Sequence, residues 1–455
     1  MGMRTRFCDG MQRRDFVRLG TASLFGASWT LPSLLAHRAL AAEKGGAENR
    51  ESGSTAGNDK SLIIVFLRGG LSTIDTWDMK PQAPSEFRGE FQPISTNVNG
   101  IQICEHLPRL AQQMDKIALV RSFGHRNSDH GPADHYMLTG YHPLAGFNPG
   151  LSPNNQRPSH GSIIAKRLGP RGSVPPYVCV PDTHPSTGAA YLGPSAAPFS
   201  INADPNDPGF TVRDVVPPLE LDPNRVDYRR ELLARVDRFQ RGAESSANRG
   251  ARSVGVFRQR AFELMTSAEA KRAFNIQQEA EKLRDEYGRN SLGQSCLMAR
   301  RLVEAGVRCV TIQHVDWDTH EKNFVHLQRD LLPLLDAAMS TLFRDLADRG
   351  ILDKTMVVVT GEFGRTPRIN NQAGRDHWGP GFTVALGGGG VRGGQVIGAS
   401  DARAEKPADE PYGPEDLAAT VYRVLGIDPN SEFYTPEGRP IKVVNDGRII
   451  RGLLG

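Results

Sequence analysis

The sequence predicts an α/β fold of three layers, an α/β/α sandwich in which helices cover both faces of a largely parallel central sheet. Three observations predict it. Short, wholly apolar runs rich in β-branched residues, such as 61–67 and 356–360, are what strands buried on both faces require. Those runs alternate with amphipathic helical patterns, the mark of crossover connections. Two of them also end in bursts of acids and histidines, VTIQHVDWDTH at 310–320 and MVVVTGEFGRTPRINNQAGRDHW at 356–378. The carboxyl edge of a parallel sheet is where α/β proteins gather their ligands.

Taken in order, the chain opens with QRRDFVRLG and the mildly apolar TASLFGASWTLPSLLAHRALAA. The twin arginines Arg13 and Arg14, the phenylalanine two residues on and the small-residue site Ala39-Leu40-Ala41 predict an export signal over 1–41. Gly20, Gly26 and Pro32 interrupt its apolar stretch, which falls short of the ~20 residues of a membrane span. Residues 42–60 lack large apolar side chains and predict a disordered tether. An α/β domain then fills 61–455, starting with the strand 61–67, which Gly69-Gly70 closes. Ile117-Ala-Leu-Val120 is a second, shorter run, and Pro- and Gly-rich irregular sequence occupies about 140–215.

A strongly charged helical insert is expected over about 223–290, with Ser267 as an N-cap and Gly288 as a stop. Leu292, Cys296, Leu297 and 299–303 line one side of a helix that ends at Gly306, and the strand 307–313 follows at once. A helix over about 324–349, kinked or delayed by Pro333, leads into the strand 356–360. Residues 382–386 and 395–397 read as a strand pair around GGGGVRGG, with the glycines as a hairpin turn rather than a phosphate loop. EDLAATVYRVLGI is a closing amphipathic helix.

Charge and cysteine content exclude several classes. The formal net charge is +4, and residues 1–41 alone hold six arginines against two acids, so the remainder is near neutral. Nothing there suits nucleic acid or an anionic membrane. Cys104, Cys179, Cys296 and Cys309 lie far apart with no C-x-x-C pair, which argues against a zinc knuckle or a disulfide scaffold.

The acids and histidines at the strand ends suggest a cation. Asp316 and His320 stand four residues apart after one strand and His377 follows another by about one loop. One carboxylate and two imidazoles suit a divalent ion such as Zn²⁺ or Mn²⁺. A plainer reading also fits: Asp316 and Asp318 cap a turn, and the histidines are hydrogen-bonded loop residues. A second histidine-rich segment holds His125, His130, His135 and His142, which suit facing substrate, surrounding a second metal or lying as solvated loop residues.

The GEFGRTPRIN…AGRDHW block, the WDTH element, LRGGLSTIDTWD, HYMLTG and the twin-arginine signal together resemble the exported DUF1501 family of the alkaline-phosphatase-like superfamily, across nearly all of 61–455. The resemblance implies a phosphatase- or sulfatase-like fold with one or two metal ions at strand ends, one of them held by Asp316, His320 and His377. It also implies where the chain departs from the pattern. Glu362 and Phe363 stand where relatives have an Asp-His pair, so Glu362 can ligate and Phe363 cannot. The first strand ends Leu67-Arg68-Gly69-Gly70, and the first acid after it, Asp75, stands as the candidate ligand in place of the acid that ends this strand in relatives. Aligning HGPADHYMLTG with the sulfatase segment puts His130 at the position of the modified nucleophile and Asp134 where an arginine belongs.

Two readings follow. In the first the protein is a metal-dependent hydrolase of phosphate or sulfate esters, exported by the twin-arginine translocase to the periplasm or beyond. Ser72, Ser128 or water attacks, and Arg68, Arg365 or Arg375 neutralises the transferred group, with His125, His130 and His135 facing substrate. Glu362 and Arg365 also suit a structural ion pair. In the second reading the protein is a catalytically silent binding or assembly protein that keeps the fold and a structural metal.

Overall fold

Ser61–Leu67 (β1) alternates its side chains between two cores. Ile63, Val65 and Leu67 pack into one, and Leu62, Ile64 and Phe66 into the other, all 5% exposed or less. A strand clothed on both faces has no polar side, which is why its sequence shows no alternation. The structure is a computed structural model that describes residues 21–24, 27–30, 59–212, 264 and 266–454. The chain divides into units 1–57 and 58–455. In the first, Thr21–Leu24 pairs antiparallel with Ala27–Thr30. The expected signal, most of the tether and the first part of the helical insert otherwise lie outside the described residues.

In the second unit the sheet continues in chain order as β2 (Ile117–Phe123), β3 (Tyr177–Val180), β4 (Phe199–Ser200), β5 (Cys309–His314), β6 (Thr355–Thr360), β7 (Phe382–Gly387) and β8 (Gln395–Ile397). Side by side the strands run β8-β2-β7-β6-β1-β5-β3-β4. All neighbours are parallel except β7, which is antiparallel to both β6 and β2. Val65 at the centre stands beside Val359 on one side and Ile312 on the other.

Helices α3 (Ser291–Glu304) and α4 (Leu332–Asp348) cover one face through Leu297, Leu302, Leu335 and Leu342. Helices α1 (His130–Thr139), α2 (His160–Leu168) and α5 (Pro414–Val424) cover the other through Leu138, Ile164 and Val421. The result is the three-layer α/β/α sandwich with a largely parallel sheet.

Several elements differ from expectation. The segment 140–215 is not wholly irregular: it supplies α2, β3 and β4. Strand β3 is four residues long between prolines, too short to show a period. β7 and β8 do not pair with each other, because β2 lies between them and hydrogen-bonds to both. The glycine run instead passes the start of β2, where the Gly394 N–H donates to the carbonyls of Met114 and Ile117. The charged stretch from Ser267 to Gly288 is broken into Ala268–Phe274, a 3-10 turn Ile276–Gln278 and Glu281–Tyr287. Ser267 caps the first helix by accepting from the Ala270 N–H. The helix expected over 324–349 begins with Asn323–His326 and a π turn Leu327–Leu331, and Pro333 sits in the first turn of α4, where its missing N–H costs nothing.

Candidate metal centre

The carboxyl ends of β5, β1 and β6 lie side by side, so the loops that follow them meet. Gly69 makes this approach possible. It holds φ +115°, and a Cβ there would stand 2.4 Å from the Asp318 nitrogen. The third loop folds back as Gly364–Arg365 paired with His377–Trp378, which returns His377 to the same edge. Gly374 passes so near the β5 loop that a Cβ would meet the His320 carbonyl at 1.7 Å.

Three ligand atoms form one small triangle. His320 Nε2 is 2.9 Å from His377 Nε2 and 3.0 Å from Asp318 Oδ1, and His377 Nε2 is 3.1 Å from that oxygen. His130, the first residue of α1, places its Nε2 3.2 Å from Asp318 Oδ2. Ligand atoms of His130, Asp318 and His377 lie within 4.8 Å of one another. Behind every ring an oxygen faces Nδ1: Glu362 Oε1 at 2.6 Å from His130, Asp376 Oδ1 at 2.8 Å from His320 and the Ser128 carbonyl at 2.9 Å from His377. With the proton on Nδ1, each ring turns the Nε2 lone pair inward, the arrangement of metal-ligating histidines. Donors around a tetrahedral ion with bonds of ~2.0–2.1 Å stand roughly 3.3 Å apart. The residues therefore fit a divalent cation.

Electrostatics agree with that fit. Burial alone would raise the Asp318 carboxyl, but hydrogen bonds from His130, His377 and Arg365 outweigh it and hold the group well below the usual carboxylate range. The same Asp318 contact, followed by Glu362, raises His130 to about 9. Burial raises Glu362, whose carboxylate has no exposed surface and accepts the Gly69 N–H at 2.9 and 3.0 Å.

The other nominated residues fall into distinct positions. Asp316 is exposed and stands outside the cluster. It adopts φ 74°, a left-handed turn that sends its side chain away, and Asp318 occupies the place expected for it. Asp75 is sealed: its carboxylate pairs with Arg375 at 2.7 and 2.8 Å and also accepts from Ser72 Oγ and Asn323 Nδ2. That single network removes Asp75 from ligation, Ser72 from attack and Arg375 from substrate, since all three are buried. Glu362 stands one step behind the cluster, against His130.

Arg365 is fully covered. It donates to the carbonyls of Gly69, Gly70 and Arg375 and to Asp318, so it fixes the carboxylate rather than facing a ligand, and its acidic partner is Asp318, not Glu362. His125 is buried with Nε2 on the Glu362 carbonyl, and His135 is buried with Nδ1 on the Tyr141 carbonyl. Neither faces solvent. Arg68 remains at the rim, its side chain 40% exposed and 3.7 Å from Asp134. Ser128 is half-buried beside His377, its Oγ accepting the Gly379 N–H.

The four described cysteines are free and buried. No helix among the described residues is long and apolar enough to cross a membrane.

Comparison with known proteins adds the family. No curated protein matches the sequence. Solved structures similar to this one include lipoteichoic acid synthase LtaP from Listeria monocytogenes, at 12% identity and a TM-score of 0.37, covering 89% of this chain and 80% of that one. Phosphonate monoester hydrolase SpPMH from Silicibacter pomeroyi is 12% identical with a TM-score of 0.36, covering 86% and 76%. PsFucS1 sulfatase from Pseudoalteromonas sp. is 12% identical with a TM-score of 0.33, covering 86% and 71%. Likeness this distant says nothing about chemistry. The family model described as "Protein of unknown function (DUF1501)" matches residues 59–454, and the chain belongs to that family.

Proposed function

We propose that this protein is an exported, metal-dependent hydrolase of phosphate or sulfate esters. The observation that carries the reading is the triangle of Asp318, His320 and His377 at the carboxyl edge of the sheet, with Nδ1 of both rings committed to oxygen acceptors. Zn²⁺ or Mn²⁺ suits two imidazoles and a carboxylate. Among the described residues these donors gather around one centre, and Asp75 is spent elsewhere, so one ion is the expected stoichiometry. A cation bound there supplies Lewis-acid polarisation of an ester oxygen.

The chain's own groups supply the rest. Arg365 holds Asp318, and Asp376 and the Ser128 carbonyl hold the rings of His320 and His377. Arg68 at the rim presents a guanidinium that matches two oxygens of a phosphoryl or sulfuryl group. Ser72 is sealed, which leaves water, or the hydroxyl of Ser128, whose carbonyl holds the His377 ring, as the attacking oxygen. That oxygen gives up its proton and bonds to phosphorus or sulfur as the bond to the leaving oxygen breaks, the leaving oxygen takes up a proton, and an ester formed on Ser128 is then cleaved by water to free the serine.

One observation favours the silent alternative. Ser72, Arg365 and Arg375, three groups suited to catalysis, are all consumed by internal partners. A panel of phosphate mono- and diesters and sulfate esters separates the readings. A hydrolase turns over at least one class, loses turnover on chelation and regains it with Zn²⁺ or Mn²⁺. A metal-loaded protein inactive on the whole panel supports the exported binding protein instead.

A further inference from the structure

His130 belongs to a different element from the other donors and reaches the cluster from the start of α1. We propose that His130 is a fourth protein ligand to the cation, making an Asp318, His130, His320 and His377 set that selects a borderline ion such as Zn²⁺ or Co²⁺ over Mg²⁺ or Ca²⁺. The inference rests on the reading that a cation is held at Asp318, His320 and His377.

The geometry of the ring carries it. Nδ1 of His130 lies 2.6 Å from Glu362 Oε1, and Glu362 is itself pinned by the Gly69 N–H at 2.9 and 3.0 Å. A buried carboxylate fixed in this way keeps the ring proton on Nδ1. Nε2 then faces Asp318 Oδ2, 3.2 Å away. In the metal-free chain a proton on Nε2 bridges the two, and a cation that takes its place receives the Nε2 lone pair and the carboxylate oxygen together. Packing holds the ring in place, with the His377 ring centroid at 4.3 Å and that of Phe363 at 5.1 Å. His130 thus repeats the arrangement of His320 and His377: Nδ1 on an oxygen, Nε2 toward Asp318. Three nitrogens and one carboxylate oxygen suit borderline ions, whereas Mg²⁺ and Ca²⁺ take oxygen donors. With four protein donors an ester oxygen would enter as a fifth ligand, so the decisive test counts donors rather than turnover.

Zinc-edge X-ray absorption on the Zn²⁺-loaded full chain counts imidazoles without altering any residue. Three imidazoles at ~2.0–2.1 Å are expected. Two overturn the proposal while leaving a cation at Asp318, His320 and His377. Competition of the protein with a chromophoric chelator for Zn²⁺ gives a second readout. His130→Gln should weaken binding by more than tenfold, and Glu362→Gln by roughly 10–100-fold through loss of the ring's outer partner. Unchanged affinity in His130→Gln overturns the proposal. A wild-type chain that binds none of Zn²⁺, Co²⁺ and Mn²⁺ defeats the metal reading itself, and this inference with it; one that binds Mn²⁺ alone overturns the inference only.

Discussion

Replacing Asp318 with alanine removes a carboxylate that Arg365, His130, His320 and His377 share. Asp318→Ala should therefore empty the site, while Asp316→Ala, two residues away and exposed, should retain full metal content after a chelator wash. The reverse result would restore the sequence-based assignment. The sequence points to Asp316 within the DWDTH element, whereas the structure gathers Asp318 with the two imidazoles. A four-residue spacing shares a face only in regular structure, and the left-handed turn at Asp316 breaks that regularity. The meeting of His320 and His377 is legible because each follows a visible strand by a short distance.

Ser72, Asp75 and Arg375 were misread because their partnership is set by tertiary contacts, Asp75 and Arg375 being 300 positions apart. That pair makes a stability prediction. Arg375→Met strands a fully buried carboxylate, and breaking a buried pair by removing one partner costs about 3–5 kcal/mol. Urea unfolding at neutral pH reads the loss. A midpoint equal to wild type would show that the pair does not hold the site loop.

At the scale of elements, His160 ties α2 to α5 and α1, with Nδ1 on the Tyr422 hydroxyl at 2.9 Å and Nε2 on the Met137 carbonyl at 3.0 Å. Burial lowers its pKa from 6.5 to about 4. The folded state then binds fewer protons than the unfolded chain in this window. Stability from this group is fully present above pH 6.5, falls as the pH drops, and is lost once the pH passes below about 4. The loss should be about 3 kcal/mol, and His160→Gln should flatten that part of the stability profile. A profile of identical shape in the variant would remove His160 from the account.

Gly69 makes a second prediction at this scale. Gly69→Ala adds a Cβ in a left-handed turn against the Asp318 backbone, so it should weaken metal binding before it unfolds the sheet. Equal metal affinity in the two proteins would show that the β5 loop absorbs the methyl. The longer strands were legible as apolar runs because the sheet is clothed on both faces. β3 and β4 were not, being too short for a period. The pairing of β7 and β8 with β2 rather than with each other is non-local and leaves no local trace.

At the scale of the whole molecule, a parallel sheet brings three loops from distant parts of the chain to one edge, where Asp318 and His320 arrive after β5, His377 after β6 and His130 at the start of α1. The alternation of strand and helix made that architecture legible, and it made the carboxyl edge the place to look. We propose that the twin arginines send this assembly out of the cell already folded, which would let the ion bind before export. Arg13→Lys with Arg14→Lys should leave precursor inside the cell, and undiminished export would exclude that route. An ion at the carboxyl edge of the sheet is what every step of this chemistry depends on. The most direct measurement is elemental analysis of the purified wild-type chain beside Asp318→Ala and His320→Ala. One equivalent of Zn²⁺ or Mn²⁺ in the wild type, lost in both variants, is the predicted result; a folded wild type without stoichiometric metal that takes up none when supplied would contradict it.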